Sequence, residues 1–166
     1  MPPAALTLTR AQPVDAPAIW TLQRAAYQTE AALYGDPAIP PLTQTLDNLT
    51  AEFADKVFLK ALLAGRLVGS VRVQLRGTTV LLGRLIVAPE CQRQGIGSAL
   101  LRQAETVWPE AVRVELFTGV RSAGNLRLYE RHGYTRYREE WLSEAITLVY
   151  LEKALAPGAR NPGIPA

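Results

Sequence analysis

Residues 82–101, reading LGRLIVAPECQRQGIGSALL, constrain the fold more than any other stretch of this chain. The apolar run from Leu82 to Val87, with only Arg84 charged, reads as a strand that breaks at Ala88-Pro89. A polar segment then leads to Gly95-Ile96-Gly97, after which helical spacing begins. The order is strand, loop, glycine turn, helix. Glycines at 95 and 97 carry no Cβ, so the backbone can fold tightly and bring several N–H groups close to a ligand. The first turn of the following helix leaves its own donors unpaired at the same place, and such a place binds phosphate oxygens.

Three phosphate-loop designs are compatible with that order, and individual residues separate them. A Walker-type loop requires Lys and then Ser or Thr after its last glycine, whereas Gly97 is followed by Ser98-Ala99-Leu100. A Rossmann loop requires a third Gly or Ala three places beyond the second and a tight join to its strand. Here Leu100 occupies that place, and seven residues separate Val87 from Gly95. What remains is Gln92-Arg93-Gln94-Gly95-Ile96-Gly97, which resembles the Arg/Gln-x-x-Gly-x-Gly/Ala pyrophosphate loop of the GNAT acyltransferase superfamily. That resemblance implies acetyl-CoA or a related acyl-CoA as cofactor. Taken alone, the six residues also read as an ordinary glycine turn into a helix.

A second motif lies 28 residues beyond Gly97: Asn125-Leu126-Arg127-Leu128-Tyr129-Glu130-Arg131-His132-Gly133-Tyr134. It resembles the Asn-x-x-Leu-Tyr-x-x-x-Gly-Phe/Tyr segment that GNAT enzymes carry after their fifth strand. With both motifs in this order, the chain is identified as a member of the superfamily. The resemblance implies an α/β fold with a mixed, mostly antiparallel sheet of six to seven strands. Helices cover both faces, and the sheet is splayed between strands four and five.

Composition narrows the alternatives. At 166 residues and 48% hydrophobic, the chain suits one domain with a substantial core. We expect a flexible amino terminus over 1–5, the domain over 6–155 and a disordered tail over 156–166, rich in proline and glycine. Eighteen Lys and Arg against 15 Asp and Glu are spread evenly over both halves, which is a poor footprint for nucleic acid. A single cysteine, Cys91, excludes an intrachain disulfide and suits a reducing compartment. Its uncharged stretches are too short and too broken by proline to span a bilayer, and the amino terminus lacks the features of a signal peptide. The expectation is a cytoplasmic protein without nucleic-acid or membrane partners. No metal site is expected, since the single histidine, His132, has no carboxylate or thiol companions in sequence.

Periodicity orders the remaining elements. Leu6 to Arg10 reads as a strand, and Asp15 as the N-cap of a helix running to Tyr34, stopped by Gly35-Asp36-Pro37. Thr43 or Thr45 caps a second helix carrying Leu46, Leu49 and Phe53. Three strands follow in a meander, Val57 to Leu63, Leu67 to Arg76 and Thr79 to Val87. The helix after Gly97 is expected to stop near Trp108-Pro109. The strand from Arg113 to Thr118 should lie parallel to Leu82–Val87 through a crossover. A short helix from Gly124 to His132 and a closing hairpin, near Thr135–Leu142 and Ile146–Leu155, complete the chain.

By the resemblance, Ile86 and Val87 offer main-chain contacts to pantetheine in the splay, as an added strand would. Gln92, Arg93, Gln94, Gly95, Ile96, Gly97 and Ser98 supply the pyrophosphate site. Glutamine at 92 brings no charge where many relatives have arginine. Asn125 corresponds to an asparagine that reaches the cofactor, although a helix N-cap is its plainer role. Tyr129 is expected to protonate or hydrogen-bond the departing CoA thiolate, against the plainer role of a packed ring with its hydroxyl outside. The amine's base is harder to place, because strand four offers only Arg84 where many relatives carry a glutamate. Glu115 is one candidate, and equally a partner of Arg84 or Arg113 across the sheet. Glu30 is another, and the loop from Tyr34 to Leu42 is expected to wall the acceptor pocket. Cys91 reads as an exposed loop residue. The expected reaction is direct transfer of an acetyl group from acetyl-CoA to a primary amine of a small molecule or peptide, in a ternary complex. A non-catalytic acyl-CoA-binding module is the rival. Exposed edge strands in the last hairpin could support a homodimer.

Overall fold

The computed structural model describes residues 5–156. The disorder expected for the tail, and most of the expected flexible amino terminus, fall outside those residues. β1 (Leu6–Arg10) leads through a short 3-10 turn at Pro13–Asp15 into α1 (Ala16–Ala26) and then α2 (Gln28–Tyr34). Short helices α3 (Pro40–Thr43) and α4 (Leu46–Ala51) precede the meander of β2 (Val57–Leu63), β3 (Arg66–Arg76) and β4 (Thr79–Val87). α5 (Ile96–Ala104), β5 (Arg113–Gly119), α6 (Ala123–Arg131), β6 (Thr135–Trp141) and β7 (Thr147–Ala154) follow.

Among the described residues, all seven strands join one sheet in the order β1-β2-β3-β4-β5-β7-β6. Only β4 and β5 run parallel, as the helical crossover through α5 requires. Side chains alternate along β5, so Val114, Leu116 and Thr118 are buried while Arg113, Glu115 and Phe117 are more open. The main core lies between the sheet and its helices, with Val71, Val73, Val80, Leu100, Leu101, Val114 and Leu151 at or near zero exposure. A second cluster under α1 and α4 packs Ile19, Leu49 and Phe58, with Phe53 stacked on Phe58 at 3.9 Å.

Several local expectations are corrected. The first helix is broken at Tyr27, whose backbone leaves the helical region between α1 and α2. Asp15 does not cap α1 with its side chain; its carboxylate accepts from the Gln12 N–H at 2.7 Å and from Lys60 at 3.0 Å, so capping happens one turn earlier. α5 ends at Ala104, well before Trp108. Asn125 sits inside α6 and does not cap it, since the capping place falls on Ser122. Cys91 is 6% exposed and belongs to the core. Thr45 caps α4 as expected, accepting from the Asn48 N–H at 3.1 Å, and Gly35 closes α2 in the left-handed region.

Candidate active site

The backbone opens a wedge in the middle of the sheet. β4 and β5 pair only at Thr79–Arg113, Val80–Val114 and Leu81–Glu115. Beyond Leu81, β4 continues against β3 alone as far as Val87, and beyond Glu115, β5 continues against β7 alone as far as Gly119. The facing edges of the two strands therefore carry backbone donors and acceptors with no strand between them, a layout that accepts an extended ligand as a further strand. Ile86 and Val87 lie on this free edge.

A bulge in β4 produces the divergence. Arg72 pairs with Gly83 and Ser70 with Ile86, so Arg84 and Leu85 together oppose Val71. Arg84 adopts φ 51°, a left-handed conformation uncommon for arginine, and the extra residue bends β4 away from β5. Ser70, opposite the bulge, is buried.

At the open end of the wedge, α5 points its N-terminus outward. Gln92, Arg93, Gln94 and Gly95 are exposed, Ile96 is buried beneath them, and Gly95 caps the helix at φ 80°. Arg93 also has a positive φ, 63°, which places two left-handed residues in one tight loop. A Cβ on Gly97 would meet Leu128 at 3.5 Å and Val87 at 3.8 Å, ordinary packing distances. Internal packing thus leaves room for a side chain at 97. The first-turn N–H groups and the helix dipole make this loop an anion site. The Ser98 hydroxyl is shared with His132 Nε2 at 2.9 Å, which ties the start of α5 to the end of α6.

Tyr129 lies on α6, its ring 6% exposed and edge-on to Tyr134 at 6.0 Å. Its hydroxyl makes no hydrogen bond among the described residues. Burial first, then the neighbouring Tyr27 and Glu30, push its pKa well above the usual phenol value, so the group keeps its proton at neutral pH. Tyr27 stands at the break between α1 and α2 and Glu30 lies in α2, so the electrostatic coupling reaches Tyr129 from the α1–α2 segment.

Glu30 is held by Ser122, whose hydroxyl donates to its carboxylate at 2.6 Å. The Ser122 hydroxyl also contacts the Tyr34 hydroxyl at 2.8 Å, and the Arg121 N–H donates to Tyr34 at 3.0 Å. Tyr34 is 6% exposed, packed with Ala31, Ile39 and Ile146, so its hydroxyl fastens α2 to the end of β5. Asn125 donates to Thr118 Oγ1 at 3.2 Å and is turned toward β5. Glu115 lies at the closed base of the wedge, level with Leu81, where it accepts from Arg113 at 2.9 Å. Arg113 in turn bonds Glu152 at 2.7 Å. Of the two partners expected for Glu115, Arg113 is the one present.

Sequence reasoning missed Tyr27, Ser122 and Gly119. Tyr27 has a signal in the sequence only as an aromatic in a helical run, and Ser122 only as a polar residue before α6. A polar cluster beneath α1 was also missed: Arg72, 3% exposed, bonds Glu52, Gln23 and Gln44, and its guanidinium lies 4.6 Å from the Phe58 ring.

A seven-stranded sheet opened between its two parallel strands, with an anion-binding helix terminus at the opening and a phenol beneath it, defines the acyltransferase class of α/β folds. Residues 54–136 match the family described as Acetyltransferase (GNAT) domain, and the chain belongs to that family. Solved structures agree at the level of the fold. PaiA N-acetyltransferase from Thermoplasma acidophilum, in complex with coenzyme A, superposes with a TM-score of 0.75 at 18% identity over 91% of this chain and 99% of its own. YncA from Salmonella typhimurium, a putative acetyltransferase with its cofactor acetyl-CoA, gives 0.70 at 19% identity over 96% and 99%. The ribosomal-protein-S18-alanine N-acetyltransferase from Escherichia coli gives 0.72 at 17% over 95% and 99%. No curated protein matches the sequence.

Proposed function

We propose that the protein transfers an acetyl group from acetyl-CoA to a primary amine, directly and within a ternary complex. One observation carries the reading: the β4–β5 wedge opens beside the α5 terminus, and Tyr129, its hydroxyl unbonded among the described residues, packs in the same core cluster as Ile86 on the free edge. Pantetheine would lie along the free edge at Ile86 and Val87, and the pyrophosphate on the amides of Gln92–Ser98. The amine nitrogen attacks the thioester carbonyl carbon, a C–N bond forms, the C–S bond breaks, and the thiolate takes its proton from Tyr129. Free N–H groups of β4 beside the thioester would stabilise the oxyanion.

Glu30 is the better placed of the two carboxylates to accept the amine's proton. It lies close enough to influence Tyr129 and is oriented by Ser122, whereas Glu115 is occupied by Arg113 at the closed base of the wedge. Calorimetry with acetyl-CoA, followed by thiol release over a panel of primary amines, tests the reading. Wild-type protein should bind and turn over. Glu30→Gln should lower kcat/KM, while Glu115→Gln should leave it near the wild-type value. Binding of acetyl-CoA without turnover of any amine would favour the acyl-CoA-binding module instead, and no binding at all would sink both.

A further inference from the structure

Two arginines share the α1 face of the sheet, and they are treated differently. Arg72 is enclosed and neutralised by Glu52, and its terminal nitrogens also bond Gln23 and Gln44, while its Nε stays buried without a partner among the described residues. Arg84, on the β4 bulge, has no carboxylate partner among the described residues. Its guanidinium lies 6.0 Å from the Tyr27 ring centroid and remains partly open to solvent. The two cations also disfavour each other: burial first, then opposed by Glu52, and then the charge of Arg84 act on Arg72, whose pKa is lowered. Arg66, Arg113, Arg136 and Arg138 each pair with a carboxylate, whereas Arg24 and Arg121, like Arg84, lie over an aromatic ring. Arg84 projects from a left-handed bulge, at the point where β4 leaves β5, toward the residue that separates α1 from α2. Glu30 lies one helical turn beyond Tyr27, and both Glu30 and Arg84 act electrostatically on the Tyr27 phenol. The acceptor side of the wedge therefore offers one anion, Glu30, and one cation without a carboxylate partner among the described residues, Arg84, which hydrogen-bonds the Tyr27 phenol.

We infer that the acceptor is a zwitterionic amine of the amino-acid type, whose carboxylate pairs with Arg84 while its amino group faces Glu30 and the thioester. The inference rests on the acetyltransferase reading above and deepens it. Arginine is suited to this task because its planar fork can hold both carboxylate oxygens. A neutral acceptor would leave the guanidinium unpaired at the mouth of the wedge. A peptide amine would have no free carboxylate beside its nucleophile.

The test compares each of a set of α-amino acids with its own carboxamide as acceptor, in wild type, Arg84→Gln and Arg84→Lys. Acetyl-CoA affinity and melting temperature are measured on the same samples. We expect wild type to prefer the acid over the amide by roughly 10- to 100-fold in kcat/KM, the range of a charged hydrogen-bonded pair. That ratio should fall toward one in Arg84→Gln and recover in part in Arg84→Lys. A ratio near one in wild type, a ratio preserved in Arg84→Gln, or turnover of neither acceptor overturns the inference while leaving the cofactor reading standing if acetyl-CoA binds. Failure of wild type to bind acetyl-CoA overturns both. If Arg84 served only to seat on the Tyr27 ring, Arg84→Gln would lower the melting temperature with the ratio intact, and that result also counts against the inference.

Discussion

Tyr34 and Tyr129 are equally buried, each 6% exposed, yet their hydroxyls have opposite surroundings. Tyr34 is bonded to the Ser122 hydroxyl and the Arg121 N–H, and it packs against Gly119, where a Cβ would overlap the hydroxyl. Tyr129 brings a similar ring into the core but bonds to nothing among the described residues. Its hydroxyl is not sealed from solvent, unlike Arg72 Nε, so it needs no partner within the protein. One tyrosine fastens the wall of the wedge; the other is left available inside it. The contrast is set by position, since α2 reaches the end of β5 where backbone N–H groups are free, and α6 lies under the gap where β4 is absent.

The largest expected effect breaks the Tyr129 half of the pair. Tyr129→Phe keeps the ring and removes the hydroxyl, so kcat should fall roughly 10- to 1000-fold with little change in acetyl-CoA affinity or melting temperature. Wild-type kcat in that variant would remove the proposed acid. Next comes Gly119→Ala. Its new methyl displaces Tyr34, at a cost of about 3 kcal/mol in denaturant unfolding, and loosens Glu30 through Ser122. An unchanged denaturation midpoint would show that Tyr34 has another place to go.

Tyr34→Phe should be milder, about 1–2 kcal/mol, because the ring stays while the Arg121 N–H and Ser122 lose a partner. A loss of stability without a proportionate loss of kcat would confirm that the two tyrosines divide the work. The smallest effect concerns the link between α5 and α6. Burial first, then the charge of Arg102, lowers the His132 pKa below its ordinary 6.5. The folded protein therefore binds fewer protons there than the unfolded chain. The contribution is present above 6.5 and is lost as pH falls from 6.5 toward the depressed value. Wild type should lose melting temperature more steeply than His132→Gln over that interval; parallel curves would mean that the Ser98–His132 contact carries no pH dependence.

Much of this molecule was legible in residue order alone. The glycine turn at Gly95-Ile96-Gly97, the meander and the Asn125–Tyr134 segment led directly to the parallel β4–β5 pair and to Tyr129 on α6. These signals are local: a positive φ, an alternating apolar pattern and a helical spacing each act through a few neighbouring residues. The continuous helix expected from Asp15 to Tyr34 failed for the opposite reason. Nothing local marks Tyr27 as a break, and its ring packs against the core with Arg84, far away in sequence, beside it. Cys91 follows a proline in a polar loop, yet burial against the core decided its environment.

What the sequence by itself determined is the strands, their order and the glycine turn that opens α5, because backbone conformation and hydrophobic period are properties of short segments. Only the tertiary structure decided how the charged and phenolic groups are distributed. The bulge at Arg84 arises from mismatched pairing between β3 and β4, and Glu115 finds Arg113 at the base of the wedge. Glu30 meets Ser122 across 92 positions of sequence. Whether a carboxylate, a phenol or a guanidinium is paired depends on which distant segment packs against it, and that is fixed when the sheet closes around its wedge.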